Sequence, residues 1–441
     1  MVLKPRQILD MNAFDPARDG AADGLLARRQ RNLGAASVLF YRRPIEMRRG
    51  RGCWMEAADG TRYLDFYNNV PSVGHCHPKV VEAVAAQMAE LNINSRYLHP
   101  LTEAYVERLK ATLPGGDWNL VMTCSGSEAT DLALRVAMTA TGATGIVVTE
   151  AAYHGNTHLV TRVSPASWKG RPRLPDWVRT VPAPSREAHG DDLAGGFARA
   201  VRRAIATLRR RGHEPAALLC DTIFSSDGVH PGPPGFLAEA VEVMRAQGGV
   251  LIADEVQPGF ARTGAAFWGH GRHGLAPEIV TMGKPMGNGV PVAGMAARPD
   301  LLAAFCEEVG YFNTFGATPV AAAAGLAVLD VIAGEGLQEN AAAVGAHLMA
   351  RLREIAAREP RIGAVRGAGL FIGIDLVTPG QPAGPDPDLA GDLVNALRER
   401  QVLIGTAGRF GHTLKLRPPL CLSRAEADLF ADALADALAA P

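Results

Sequence analysis

From about residue 80 the chain alternates amphipathic helical patterns with short apolar runs: Leu120–Met122, Ile146–Val148, Ala217–Leu219, Val250–Ala253 and Ile279–Met282. Brief apolar runs bounded by turn residues suit strands buried on both faces. Their alternation with helices predicts βαβ units and an α/β fold with a mostly parallel central sheet covered by helices. Ligands of open sheets gather at the carboxyl ends of strands. The residues at those ends are Thr123-Cys124-Ser125-Gly126, Thr149-Glu150, Asp221, Asp254-Glu255 and Lys284. The candidate chemistry therefore falls on one edge of one sheet.

The flanking regions read differently. Residues 1–50 are Arg-rich and weakly patterned, and a hairpin is expected around Asp59-Gly60, between Cys53-Trp54-Met55-Glu56 and Tyr63-Leu64-Asp65-Phe66. The Ala-rich run Pro319–Ile332 predicts a long helix. Two helical and two strand patterns follow (Leu370–Leu376 and Leu414–Leu416), with Ala425–Ala440 closing the chain. The Pro/Gly-rich stretch Pro379–Asp388 reads as a loop. These patterns divide the chain into an N-terminal segment (1–75) packing with a small domain, a large domain (76–318) and a small α/β C-terminal domain (319–441).

Composition adds exclusions. A chain of 441 residues is too long for one core. Its formal net charge is zero, which points to neither nucleic acid nor an anionic membrane. The Arg-rich start carries no helix-turn-helix pattern, so a solvated face or an arm reaching an anionic substrate is expected there. The scattered cysteines, the lack of a secretory pattern over Met1–Asp15 and the lack of a spanning apolar run lead us to expect reduced thiols in a cytoplasmic enzyme.

Only six of the 45 basic residues are lysine, so the lysine at position 284 stands out. It follows an apolar run, in Met282-Gly283-Lys284-Pro285, and Asp254 closes a similar run thirty residues upstream. A lysine and an acid so placed suit pyridoxal 5'-phosphate (PLP). Only a deprotonatable amine can form the Schiff base, and a carboxylate pairs with the pyridinium nitrogen. Asp254 has an ordinary alternative as a helix N-cap, but a carboxylate after four apolar residues needs a cationic partner. Ser125-Gly126-Ser127-Glu128 reads as a capping box, or as a phosphate site built from the N–H groups of Gly126 and Ser127 at a helix start. Tyr153, in Tyr153-His154-Gly155, is a candidate to stack on the cofactor ring, and Gln257 to bond the ring's phenolic oxygen. Gly74-His75-Cys76-His77-Pro78 lacks the second ligand cluster of a structural zinc site and is expected to form a turn near the site. No metal is expected.

As a set, these motifs resemble the class III aminotransferases, the ω-aminotransferase group of fold-type I PLP enzymes, from roughly residue 35 onward. The matching elements include Tyr63-Leu64-Asp65, Gly74–Pro78, Ser125–Ala129, Tyr153-His154-Gly155, Asp254–Gln257, Gly259, Arg262, Gly264, Lys284 and Thr314-Phe315-Gly316. The resemblance implies Lys284 as Schiff-base lysine and proton shuttle, Asp254 on the pyridine nitrogen and Gln257 on the ring oxygen. It also implies Gly126 and Ser127 on the phosphate, Tyr153 over the ring, and Thr314 reaching the phosphate from the other subunit of a homodimer or dimer of dimers.

Asn68-Asn69-Val70, Asn94–His99, Tyr311-Phe312-Asn313 and Lys415-Leu416-Arg417-Pro418-Pro419 resemble the branch of ethanolamine-phosphate and phosphohydroxylysine phospholyases. Asp221 departs from the family's usual Glu, and Ala317-Thr318 from its usual Gly-Asn. Lys415, Arg417 and Trp54 are the expected substrate contacts; the two cations share one side of a strand, which in most strands is a solvated edge. The expected reaction is transfer of an amino group from a small amine or amino acid to a 2-oxo acid. Elimination of phosphate from a phosphorylated amine is the alternative. A PLP-binding transcription regulator is not expected, because about 50 irregular residues cannot supply a winged helix.

Overall fold

The computed structural model describes residues 3–20, 24–380 and 384–439. Its centre is a seven-stranded sheet in the spatial order 119–123, 293–297, 279–282, 250–254, 215–221, 145–149 and 178–181. Every neighbouring pair is parallel except those made by Ala293–Ala297, which runs antiparallel to both of its neighbours. The side chains alternate as the pleat requires. Ile146, Val148, Ala217, Leu219 and Ile252 join one core with helix Gly126–Thr141, while Val147, Leu218, Cys220 and Leu251 join another with helices Leu193–Arg210 and Ala238–Arg245.

Two strands of this sheet are not among the predicted runs. Ala293-Gly294-Met295-Ala296-Ala297 has no β-branched residue, yet it is buried along its whole length between two partners. Its ladder and burial, not its propensity, make it a strand. Val178–Val181 pairs only with Gly145–Thr149, at the edge.

The predicted hairpin forms between Trp54–Ala57 and Arg62–Asp65. Asp59 accepts the N–H of Thr61 at 2.9 Å, and Gly60 takes φ 85°, as a tight turn demands. Leu64 and Asp65 also pair in parallel with Val402–Leu403, so one small sheet knits the N-terminal segment to the C-terminal part.

The C-terminal sheet runs in the order 362–368, 371–378, 413–416 and 405–407, all antiparallel. Ile362–Ala368 is a strand that the sequence pattern does not reveal, because Gly363, Arg366 and Gly367 break its apolar period. The expected loop Pro379–Asp388 is shorter than predicted. Residues 381–383 lie outside the described residues, Gly384–Pro385 pairs with Val377–Thr378, and Pro387 already opens helix Pro387–Glu399. Asp386 caps that helix by accepting the Leu389 N–H at 2.9 Å, and proline suits the first helical position. Among the described residues, no single helix is long and apolar enough to cross a membrane.

Candidate active site

The carboxyl ends of the central strands meet the start of helix Gly126–Thr141 around a cavity of about 280 Å³. Its walls include Gly126, Ser127, Tyr153, Asp254, Gln257 and Lys284. Strands of one parallel sheet end in register, so residues up to about 160 positions apart in sequence reach one hollow.

Lys284 lies two residues beyond strand Ile279–Met282. Burial lowers the pKa of its amine, and the guanidinium of Arg417 lowers it further, against the opposing pull of Asp254 and Asp221. An amine of lowered pKa gives up its proton more readily, and in its neutral form it can act as a nucleophile and accept a proton.

Asp254 ends its strand and is 4% exposed. One carboxylate oxygen accepts the Val256 N–H at 3.0 Å. The other stands 2.7 Å from Nδ1 of His154. No helix follows Asp254 before the short 3₁₀ turn Gly269–His273, so the helix-cap alternative gives way to a turn that orients the carboxylate. Sequence reasoning missed His154. It adjoins Tyr153 in a motif already singled out, but nothing in the local pattern connects it to a residue 100 positions away. Its backbone N–H donates to Ser164 Oγ at 3.0 Å, and its buried Nε2 has no partner among the described residues.

At the helix start, Ser125 Oγ accepts the Glu128 N–H at 3.2 Å. Glu128 reaches back to the N–H of Cys124 at 3.1 Å, one residue earlier than a simple capping box would have it, and also accepts from Asn313 at 2.8 Å. The N–H groups of Gly126 and Ser127 lie in the first turn and have no acceptor within the helix. Both glycines of this cradle are sterically required. A Cβ on Gly126 would come within 2.8 Å of Val256, and one on Gly155 within 2.6 Å of Ser127 Oγ. The helix terminus thus presents bare donors and a positive dipole end to the cavity, a setting for phosphate.

Gln257 donates to Ser225 Oγ at 2.7 Å and accepts from Arg417 at 2.7 Å. The solvated-edge reading of Lys415 and Arg417 fails, because they are 3% and 7% exposed. Strand Thr413–Leu416 lies inside its sheet, between Phe371–Thr378 and Gly405–Ala407. Arg417 also approaches Asn69 Oδ1 at 3.3 Å, and its guanidinium lies 4.7 Å from the centre of the Tyr67 ring. The Lys415 ammonium sits 5.6 Å from the centre of the Phe371 ring and has no hydrogen-bond or carboxylate partner among the described residues. Burial, followed by Arg417, drives its pKa well below the ordinary lysine value.

Four predicted residues are absent from the cavity wall: Lys415, Arg417, Trp54 and Thr314. Trp54 donates its indole N–H to Glu426 at 2.7 Å and packs under Arg62 at 4.8 Å, so hairpin and C-terminal helix claim it rather than the site. Thr314 is exposed, in the loop 311–318, between the exposed Phe312 and Phe315. That loop is tied to the cradle through Asn313 and Glu128.

The family departures have local causes. Ala317 adopts φ 61°, a left-handed conformation in which glycine is ordinarily favoured, and Thr318 replaces asparagine as a helix cap by accepting the Ala321 N–H at 3.4 Å. Asp221 folds back to accept the N–H groups of Ile223 and Ser225 at 2.9 and 3.0 Å. In the Gly74–Pro78 turn, His75 pairs with Asp65 at 2.7 Å and His77 with Glu335 at 3.1 Å, while Asn288 holds the Gly74 carbonyl at 2.8 Å.

Residues 40–438 match the model of the family described as aminotransferase class-III. The chain belongs to the class III aminotransferases. Among relatives of this class III enzyme, a Drosophila melanogaster protein named alanine–glyoxylate aminotransferase 2-like is 37% identical, over 91% of this chain and 84% of the relative. A Caenorhabditis elegans ethanolamine-phosphate phospho-lyase homolog is 36% identical, over 90% of each chain. A phospholyase from Arthrobacter, solved in complex with phosphoethanolamine, superposes with a TM-score of 0.91 at 40% identity, covering 95% of this chain and 100% of that one. An amine transaminase from an uncultivated Pseudomonas species, solved with PLP bound, gives a TM-score of 0.82 at 29% identity, over 90% and 95%. The cofactor of this class III enzyme is PLP. The cavity fits it: glycines that leave room for a phosphate, an amine of lowered pKa and a buried carboxylate open onto one space.

Proposed function

We propose that this class III enzyme removes phosphate from a small phosphorylated amine of the phosphoethanolamine type. The observation that carries the reading is Lys415, a buried amine with no hydrogen bond or ion pair among the described residues, whose pKa burial and Arg417 lower against the weaker pull of Asp221 and Asp227. A substrate phosphate dianion beside it would favour the protonated amine and be bound by it. The Arthrobacter phospholyase, the most alike in fold and sequence of the solved relatives described above, supports the same choice.

Lys284 would hold the cofactor, with the helix start at Gly126 and Ser127 receiving its phosphate and Asp254 facing its pyridine nitrogen. When bound, PLP supplies an electron sink for the carbon that carries the substrate amine. The Lys284 amine, less basic than a free lysine, takes the proton from that carbon. Phosphate departs from the adjacent carbon, with Lys415 offsetting its charge. From phosphoethanolamine and water, the overall products are acetaldehyde, ammonia and phosphate.

Transamination to a 2-oxo acid is the second reading, favoured by the alanine–glyoxylate aminotransferase-like relative and by the ability of Lys415 to bind a carboxylate instead. Incubation of the holoenzyme with phosphoethanolamine separates the two. Release of phosphate and acetaldehyde over many turnovers, without a 2-oxo acid, is expected. Conversion of bound PLP to its amine form, restored only by pyruvate or 2-oxoglutarate and without free phosphate, would overturn the lyase. The reading includes a homodimer, in which Thr314 of one copy completes the phosphate site of the other. The exposed Phe312 and Phe315, 44% and 71% accessible beside the cradle, support it, and light scattering that finds a fully active monomer would refute it.

A further inference from the structure

We infer that Arg417 is a positioning residue that fixes which way the Gln257 amide faces, rather than an anion clamp. The inference deepens the proposed use of the cavity and holds for either reaction, since both require the cofactor.

An amide has two ends of nearly the same shape, and its neighbours decide which is which. Ser225 does not decide, because a hydroxyl both donates and accepts. Arg417 does, because a guanidinium only donates. Its Nη1 lies 2.7 Å from Gln257 Oε1, so the oxygen end must face Arg417, and the nitrogen end, 2.7 Å from Ser225 Oγ, must face the other way. Turning the amide over would set two donors against each other among buried side chains. Of the two hydrogens on Nε2, one goes to Ser225. Because Gln257 lines the cavity, the other remains as a donor for an anionic oxygen there, such as the cofactor's ring oxygen.

Both supports of the amide are themselves held. The N–H of Arg417 donates to the Phe66 carbonyl at 2.8 Å, Asn69 Oδ1 lies 3.3 Å from its Nη1, and the Tyr67 ring faces its guanidinium. Arg417, like Lys415, is absent from the cavity wall, and its guanidinium is committed to Gln257, Asn69 and the Tyr67 ring. On the other side, Asp221 binds the N–H groups of Ile223 and Ser225 and so shapes the tight turn that presents Ser225 Oγ. That turn uses the short reach of an aspartate, which gives a structural reason for Asp221 where the family has Glu.

The test compares holoenzyme carrying Arg417→Met, Gln257→Leu and both changes. Arg417→Met should weaken PLP retention by the apoenzyme about tenfold and shift the cofactor's visible band. It should lower kcat about tenfold while the KM for phosphoethanolamine stays within about threefold. The double variant should be no worse than Gln257→Leu alone, since the two residues act as a unit. A KM raised about tenfold with an unchanged band, or losses that simply add, would make Arg417 an anion clamp and overturn the inference. If Arg417→Met yields no soluble protein, Gln257→Glu serves instead. It pairs with Arg417 but removes the donor, so it should shift the band and weaken PLP retention, and an unaltered band and affinity would refute the assignment. Failure of the phospholyase reading would look different: wild type would release no phosphate, while the absorbance and PLP-affinity comparisons would stand.

Discussion

The carboxyl edge of the central sheet and the strand Thr413–Leu416 with the following Arg417 both bury charge, but they compensate it differently. At the sheet edge, Asp254 has His154 and a backbone N–H, Asp221 has two backbone N–H groups, and Asp227 has Thr149 at 2.7 Å and the Ala151 N–H at 3.0 Å. In the C-terminal sheet, Lys415 lies over the Phe371 ring and makes no hydrogen bond or ion pair among the described residues, with Asp221 and Asp227 acting on it only at longer range. A buried ion satisfied by its own protein reports on architecture, while one left without a partner points to a ligand. Under the proposed function, the difference separates the part of the site that is built from the part that would receive substrate.

The largest expected effect lies at the built edge. Lys284→Ala should abolish turnover while leaving a folded protein, because the amine serves chemistry and not packing. Borohydride reduction followed by peptide mass analysis should find PLP on Lys284 in wild type, and an adduct on another lysine of the alanine variant would break the assignment. Asp254→Asn comes next. It should retain some PLP but lose about 100-fold in kcat, since a neutral partner no longer favours a protonated pyridine nitrogen. Asp254→Glu should lose less, and near wild-type turnover in the asparagine variant would remove Asp254 from the mechanism.

Lys415→Met sharpens the other half of the comparison. One charge-assisted contact is worth roughly 1.5–3 kcal/mol, so the KM for an anionic substrate should rise at least about tenfold. A neutral amine such as 1-phenylethylamine should be barely affected. Equal losses on both would mean that Lys415 supports the fold.

The smallest effect concerns stability. Burial pushes the Asp227 carboxyl up to about 6, above its unfolded value near 3.9. Its contribution is therefore complete below about pH 4 and is lost as pH rises through about 6. Asp227→Asn keeps an acceptor for Ala151 and offers an N–H to Thr149. It should be more stable than wild type at pH 8, by up to about 3 kcal/mol, and no more stable at pH 4. Urea titrations at the two pH values check this, and a variant that is less stable at pH 8 would show that the ionised carboxylate is better compensated than its burial implies.

Much of the fold was legible because buried parallel strands announce themselves as compact apolar runs. The five runs named from the sequence all became strands of one sheet. Ala293–Ala297 and Ile362–Ala368 were not legible, since their strand character comes from neighbours on the ladder rather than from their own residues. The same division holds at the site. Lys284, Asp254, Gly126, Ser127, Tyr153 and Gln257 could be named because each follows a strand end or opens a helix, and all six line one cavity. His154 as the partner of Asp254, and the burial that draws Arg417 to Gln257, could not be named. Trp54 was assigned to substrate, but folding placed it on Glu426.

By itself, the sequence determined the periodicities, the strand ends and the residue types that chemistry requires: a lysine, an acid and a glycine-flanked helix start. These are local properties, set by side-chain pattern and backbone preference within a few residues. Tertiary structure alone decided the charge environment. Whether Lys415 is solvated or buried, whether Asp254 has a partner and which end of Gln257 faces the cavity all depend on groups up to 160 positions apart in the chain. Desolvation and hydrogen bonding act through space, and no spacing along the chain encodes them.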